Sequence, residues 1–332
     1  MATLGSTYFD LIELYKRQDG MGNFVDVIEI LSEMNPVLAD AIAVECNKQT
    51  SHLHTVRAGL PDVSWGRLYQ GIPNSKSGTA QVEDTTGFVE GLSTIDSRLL
   101  ELSTNEGAVR LGEAMAYLEA MSQEVSRKVF YGNTASDPEE FMGLAPRFNS
   151  LSAANGGQIV DAGGTGSDNT SIWFAAWGDG QCQLLYPKGT QAGVKREDMG
   201  EQRLTDASGN AYYGKEEKFT WHVGLAVKDW RYVSRIANID VSNLKANNVA
   251  LYDFMRKAYY KLQSRRVAGG NMAIYCNTDV MESLDALATN GGSSDSFVRL
   301  TRKEIQGEEV LMYRGIPIRE SDSLINTEAR VV

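Results

Sequence analysis

Three histidines, three cysteines and seven prolines in 332 residues leave little room for several common chemistries. A Ser-His-Asp or Cys-His relay would have to use His52, His54 or His222, each on a predicted strand, and no G-x-S-x-G elbow occurs. Cys46, His52 and His54 are the only candidates for a zinc cluster, since an i, i+2 pair on a strand faces one way, but no fourth ligand stands nearby. Cys46, Cys182 and Cys276 are odd in number and far apart, the pattern of buried reduced thiols rather than a disulfide framework. No apolar run approaches the roughly 20 residues that cross a bilayer. The N-terminal stretch carries Asp10 and Glu13 where a signal peptide is apolar, and residue 2 is Ala rather than a myristoylatable Gly. The expectation is a soluble chain made in a cytoplasm, without membrane contact.

Positive charge is also scarce. Lys and Arg number 32 against 43 Asp and Glu, a formal charge of -11, which argues against a basic face that grips nucleic acid. The small clusters Lys257, Lys261, Arg265, Arg266 and Arg299, Arg302, Lys303 read as helix-end or solvated charge. GNAYYGK at 209–215 fits the first seven positions of a P-loop, yet Glu216 stands where the Mg²⁺-binding hydroxyl belongs and no strand-loop-helix frame surrounds it. GGTG at 163–166 lacks the third Gly and the helix of a dinucleotide fingerprint, and the adjacent Glu139 and Glu140 diverge in most conformations. A nucleotide-binding enzyme resting on Gly209 to Lys215 is one alternative class; it predicts a small oligomer that binds ATP. The reading expects no cofactor and no metal.

What is present is an ordinary globular composition, 42% hydrophobic, long enough for two domains. Asn23 caps a predicted helix with Val27, Ile28 and Leu31 on one face, stopped at Asn35-Pro36; VLADAIAVEC reads as a second. Two strand-like arms follow, roughly 52–70 and 80–95, joined by GIPNSKSGT, and at about 3.3 Å per residue each reaches about 50 Å. Trp65, Arg67 and Tyr69 share one face, and Phe88, Glu90, Leu92 and Thr94 another. An isolated hairpin is marginal in water, so this one leans on a neighbouring copy or folds back on its own domain.

Ser103 opens the capping box S-T-N-E, and the helix it starts carries Leu111, Met115, Leu118, Val125 and Val129 on one stripe, ending near Gly132-Asn133. About 28 residues make a rod of roughly 42 Å. SIWFAAW and QCQLLYP read as a hairpin about GDG at 178–180. In WHVGLAVKDWRYVSRIANID, residues 221–240, Trp221, Val223, Leu225 and Val227 alternate with smaller or polar residues, and the phase slips at Asp229, where the strand bulges or changes partner. A helix at about 246–264, the strand MAIYC, the helix TDVMESLDALATN and the strands VLMYRG and IPIRE complete an α+β mixture.

That order of elements resembles the major capsid proteins of tailed bacteriophages, and so do the words. HTVRAGLPDVSWGRLYQGIPNSKS, GNTASDPEEFMGLAPRFNS, LLYPKGTQAG, VGLAVKDWRYVSRIANID and RGIPIRESDSLINTEARV look like recurring segments of one capsid branch, over nearly the whole chain. The resemblance implies the tailed-phage capsid fold, with an N-terminal arm at 1–50 and a long β-hairpin E-loop at 51–98. It implies a peripheral domain at 99–157 and 205–240 with the spine helix at about 103–132, and an axial domain at 158–204 and 241–332. The long strand here precedes the last helix-strand unit, whereas in the commonest version of the fold such a strand ends the chain, so a rearranged strand order is expected.

The implied function is self-assembly through hexamers and pentamers into an icosahedral head around phage double-stranded DNA, without catalysis. Implied partners are further copies of the chain, the portal, and scaffold and cement or decoration proteins, with weak non-specific contact to packaged DNA. The implied location is the virion, after assembly in the host bacterial cytoplasm. A cellular encapsulating shell of the same fold is the other alternative. Candidates for contacts between subunits are Trp65, Arg67, Tyr69, Lys76 and Phe88 on the arm and Asp229, Trp230, Arg231 and Arg235 on the long strand. Some relatives join a tip lysine covalently to a neighbour's asparagine with the help of a buried carboxylate; no such carboxylate is assigned here, and Lys76 is expected to be an ordinary solvated lysine.

Overall fold

The computed structural model describes residues 33–206, 208–246, 249–263, 270–289, 300–305 and 308–332. The expected Asn23-capped helix lies outside them except for its last positions, and 33–35 are not helical. In chain order, α1 (Val37–Asp40) and β1 (Ala43–Glu45) lead to β2 (Ser51–Gly59) and β3 (Gly78–Asp96), then α2 (Ser97–Glu101), α3 (Glu106–Tyr131) and α4 (Leu144–Arg147). Strands β4 (Ile159–Asp161), β5 (Asn169–Trp177), β6 (Cys182–Tyr186), β7 (Val194–Thr205), β8 (Ala211–Val227) and β9 (Val233–Asp240) precede α5 (Val241–Lys245) and α6 (Leu251–Lys261). Then come β10 (Asn271–Cys276), α7 (Thr278–Thr289), β11 (Thr301–Ile305), β12 (Glu308–Tyr313) and β13 (Ile316–Glu320).

One mixed sheet runs in the order β11-β12-β13-β10-β5-β6-β8-β3-β2, with the other strands attached to its sides. Its middle is covered on both faces. Trp173, Ala175 and Trp177 of β5 join a core with Val129 and Phe130 of α3 and Leu144 of α4. Ile172 and Phe174, one residue out of phase, join a second core with Leu251 and Met255 of α6 and Val280 and Leu284 of α7. This double covering explains why SIWFAAW is apolar without a break.

Several expectations change in detail. VLADAIAVEC gives one helical turn and then a strand, because Ala43–Glu45 pairs in parallel with β6. The predicted GDG hairpin is not one: β5 and β6 share a single bridge, Trp177 to Cys182, and β6 goes on to pair with β1 and β8. The phase slip at Asp229 is a change of partner. β8 pairs with β3, β6 and β7, a 3-10 turn at Trp230–Tyr232 intervenes, and β9 pairs with β4 and β5. The P-loop-like GNAYYGK lies in the β7–β8 turn and the start of β8, with Asp206 accepting from the backbone N–H groups of Ser208 and Asn210.

The long helix α3 starts two residues later than the capping box predicts. Asn105 is the N-cap, accepting from the Ala108 N–H at 3.2 Å, while the Ser103 hydroxyl donates to the Leu100 carbonyl and closes α2. The predicted stripe is buried only at its C-terminal end. Val125 and Val129 are enclosed together with Val37 of α1, whereas Leu111, Met115 and Leu118 are exposed. The first half of the helix rests on the sheet through a different face, Val109, Ala114 and Met121.

Candidate interaction surface

The strand β3 is 19 residues long, about 60 Å at 3.3 Å per residue. Its second half lies in the main sheet against β8, from Thr86 to Asp96, and its first half pairs only with β2. The first predicted arm stops at Gly59, eleven residues short of the expected end; residues 60–77 have no strand pairing. The alternation expected of Trp65, Arg67 and Tyr69 therefore does not become a strand face. Instead Leu60, Val63, Trp65, Leu68, Tyr69 and Ile72 all stand in solvent, Trp65 at 99% exposure. Arg67 and Lys76 are exposed on the same segment. Tyr69 has φ +66°, an uncommon conformation for a side chain of its size. The Ser75 hydroxyl donates to the Asp62 carbonyl at 2.7 Å and holds the two sides of the loop together.

The root of the arm is clamped to the body by residues that sequence reading missed. Asp84 is buried and accepts from Arg147 Nη2 at 2.8 Å; the same nitrogen reaches the Leu225 carbonyl at 3.1 Å. His54 Nδ1 lies 3.8 Å from the other Asp84 oxygen. Burial pushes the pKa values of His52 and His54 below the usual histidine value; Lys228 adds to this at His52, and Asp84 partly opposes it at His54. Arg147 and Asp84 are 63 residues apart, so no local spacing could signal the pair.

Along β3 the two faces differ. Gly91 faces α3, where an added Cβ would come within 2.7 Å of the Tyr117 ring. The glycine lets the helix approach closely enough for Tyr117 to stack on Phe219 and donate to the Leu92 carbonyl at 2.9 Å. On this side Arg110 reaches the buried Glu217 through Nε at 2.6 Å, and Arg196 bonds its second oxygen at 2.7 Å. Phe88 and Leu92, on the opposite face, are exposed. Phe88 lies beside His222, and Lys218 bridges to Glu90 at 2.6 Å.

The second set of candidates divides. Asp229 caps the 3-10 turn by accepting from the Arg231 N–H, and the Arg231 guanidinium closes back on the same carboxylate at 2.7 and 2.9 Å. Burial raises the Asp229 pKa, but the Arg231 bonds outweigh it and hold the group below the ordinary carboxylate value. With the half-exposed Trp230 and with Lys228, these residues line a groove of about 540 Å³ whose other wall is Val56–Leu60. The turn thus meets the outer edge of the arm. Arg235 does not belong to this surface. It is 3% exposed and bonded to Glu328, Ser171 and the Phe148 carbonyl, all in its own chain, so the expectation of a boundary contact there is corrected. Sequence pattern could not separate the two arginines, because β9 is buried on both faces.

Among the described residues no cluster of three metal-ligating side chains occurs, and no helix is long and apolar enough to cross a membrane. Cys46, Cys182 and Cys276 are free and buried, and burial pushes the first two thiols up to about 11 and about 12. The apolar side chains of 60–77 are bare on an extended arm, and Phe88 and Leu92 on β3 and Leu111, Met115 and Leu118 on α3 are exposed elsewhere on the chain; exposed apolar side chains of this kind suit association with another macromolecule.

Comparison with known proteins agrees with this geometry. No curated protein matches the sequence. A solved chain of bacteriophage Epsilon15 aligns at 36% identity over 100% of this chain and 99% of that one, with a TM-score of 0.77. The capsid of bacteriophage JBD30 aligns at 8% identity, covering 89% of this chain and 92% of that one at a TM-score of 0.53, a likeness of fold alone. The α+β capsid fold expected from the sequence is met. The sequence matches the family described as major capsid protein GP7 over residues 19–332, and the chain belongs to that family of shell-forming capsid proteins.

Proposed function

We propose that copies of this chain assemble through hexamers and pentamers into an icosahedral head around double-stranded DNA, each arm lying over an adjacent subunit. The observation that carries this reading is the segment 60–77, whose six large apolar side chains are bare in the single chain. Fully covering a side chain of that kind is worth about 1.5–3 kcal/mol, so a neighbour's surface is where they gain stability. We assign 1–50 to the N-terminal arm, 51–98 to the E-loop, 99–157 and 205–240 to the peripheral domain and 158–204 and 241–332 to the axial domain. Trp65, Arg67, Tyr69, Lys76 and Phe88, with Asp229, Trp230 and Arg231, are the proposed contacts between subunits. The role is structural rather than catalytic.

The acidic balance supports only weak contact with packaged DNA, since a lining that held phosphates tightly would resist packaging and release. Portal, scaffold and decoration proteins are further partners in this reading, and the host cytoplasm is the place of assembly. The test is a Trp65→Ala/Tyr69→Ala variant. We expect its circular dichroism and subunit melting to match the parent while shell yield by light scattering and negative-stain microscopy falls severalfold. Shells formed at parental yield and stability would overturn the arm's role; a stable monomer of the unaltered chain would overturn assembly itself.

A further inference from the structure

The turn between β12 and β13 holds an arginine where the backbone disfavours one. Tyr313 pairs with Ile316, so Arg314 and Gly315 are the whole loop, with φ of +52° and +85°. Positive φ at both positions is the signature of a type I′ turn, whose first position ordinarily carries Asn, Asp or Gly. The Arg314 side chain is exposed and lies over three tyrosine rings, its Cζ 5.1, 5.3 and 5.6 Å from the centres of Tyr259, Tyr260 and Tyr313. The rings hold the guanidinium in place but leave its charge uncompensated.

Arg314 lines a cleft of about 570 Å³, and so does Arg256 of α6. Lys257, the next residue on the helix, is exposed with its ammonium 5.2 Å from the centre of the Phe254 ring. The one carboxylate lining the cleft is Asp253, which bonds Arg256 at 2.9 Å. Among the described residues neither Lys257 nor Arg314 pairs with a carboxylate. Lys261, the following cation of α6, is not part of this group, because it turns back to the Gly157 carbonyl. Three cations against one anion thus form a patch of reversed sign on a chain whose formal charge is -11.

We propose that Arg256, Lys257 and Arg314, steadied by aromatic rings, are where the chain touches the phosphate backbone of double-stranded DNA. The inference rests on the reading of the chain as a shell around such DNA, and it places the weak contact on one face of an acidic subunit. A lone carboxylate would be satisfied by one guanidinium, whereas neighbouring cations with a single counter-charge match a repeating anion. The surface of a second copy is a poorer match, because its 43 acidic residues are interspersed with 32 basic ones. Contacts to phosphate carry no base information, so the binding is independent of sequence.

The test is fluorescence anisotropy of a labelled duplex of about 30 base pairs with unassembled full-length subunits over a range of salt. We expect log K to fall with log salt at a slope of about -3, since each neutralised phosphate contributes about -0.9. Arg256→Gln/Arg314→Gln should reduce the slope to about -1 and weaken binding on the order of tenfold at low salt. Arg98→Gln/Arg127→Gln removes the same charge from two exposed pairs elsewhere and should keep the parental slope. A parental slope in the first variant, or an equal loss in the control, would overturn the proposal. So would a duplex that does not bind while inorganic phosphate raises the melting temperature, because the cleft would then take a free ion only. Unchanged DNA affinity with a lower shell yield would assign the cleft to a second copy and overturn it too. As an independent readout, Arg314→Asn suits the turn better and should raise the melting temperature while weakening DNA binding. A lower melting temperature with unchanged DNA affinity would mean that stacking on the tyrosines is the whole reason for the arginine. Since binding is read on subunits, a chain that bound DNA but formed no shells would overturn assembly and leave the patch standing.

Discussion

Arg235 Nη2 and Glu328 Oε2 meet at 2.9 Å with both side chains almost entirely enclosed. Other donors of the guanidinium go to Ser171 Oγ at 3.0 Å and the Phe148 carbonyl at 2.7 Å, and its Cζ lies 4.9 Å from the centre of the Trp173 ring. The Tyr131 hydroxyl donates to the second Glu328 oxygen at 2.5 Å, and the Ser171 hydroxyl to the first. The pair joins the end of α3, β5, β9 and the C-terminal segment, so it organises the subunit rather than its contacts with other copies.

Arg235→Ala should therefore destabilise the unassembled subunit by about 3–5 kcal/mol, because Glu328 would be left charged and buried. Arg231→Ala breaks a partly exposed pair and should cost about 1 kcal/mol or less. Urea unfolding of both variants decides the matter. Equal effects would mean that Arg235 is not internal to the fold.

Gly91→Ala should cost about 1–3 kcal/mol by overpacking, since the new methyl meets the Tyr117 ring. In a Tyr117→Leu background the same change should cost measurably less. A double-mutant cycle by thermal unfolding measures the coupling, and zero coupling would refute the close approach as the reason for glycine.

His52 and His54 make the root of the arm acid-sensitive. Their folded pKa values lie below the unfolded value of about 6.5, so as pH falls below that point the unfolded chain binds protons first and stability drops until the depressed folded values are passed. Above about 6.5 their contribution is constant. Urea midpoints between pH 5 and 7.5 should show a shallower acid loss for His52→Gln/His54→Gln than for the parent, and parallel curves would exclude the two imidazoles.

Lys76 is exposed on the loop, and covalent linkage through it would need a buried carboxylate beside it. Boiled, denatured shells should therefore run as a single band near 36.4 kDa. A ladder of multiples would show crosslinking.

Much of the architecture was legible in the chain because it depends on local periodicity. The helix α3 and its end at Gly132, the long strand β3, the second half of β8 from Trp221, and β10, α7, β12 and β13 follow from repeats of 3.6 and 2 and from turn residues. The slip at Asp229 was visible too, though not that it separates two strands in different parts of the sheet. The length of the first arm was overestimated because alternation in 60–70 signals a strand only where a partner supplies hydrogen bonds. What the sequence could not determine depends on groups brought together from far apart. Arg231 and Arg235 sit four residues apart in one apolar context, yet one closes on Asp229 at the surface and the other on Glu328, 93 residues away, inside it. Likewise the stripe of α3 is one continuous signal in the sequence, and only the placement of Val37 over Val129 decides which half is covered. Periodicity states that a face is apolar; burial depends on which distant segment reaches it.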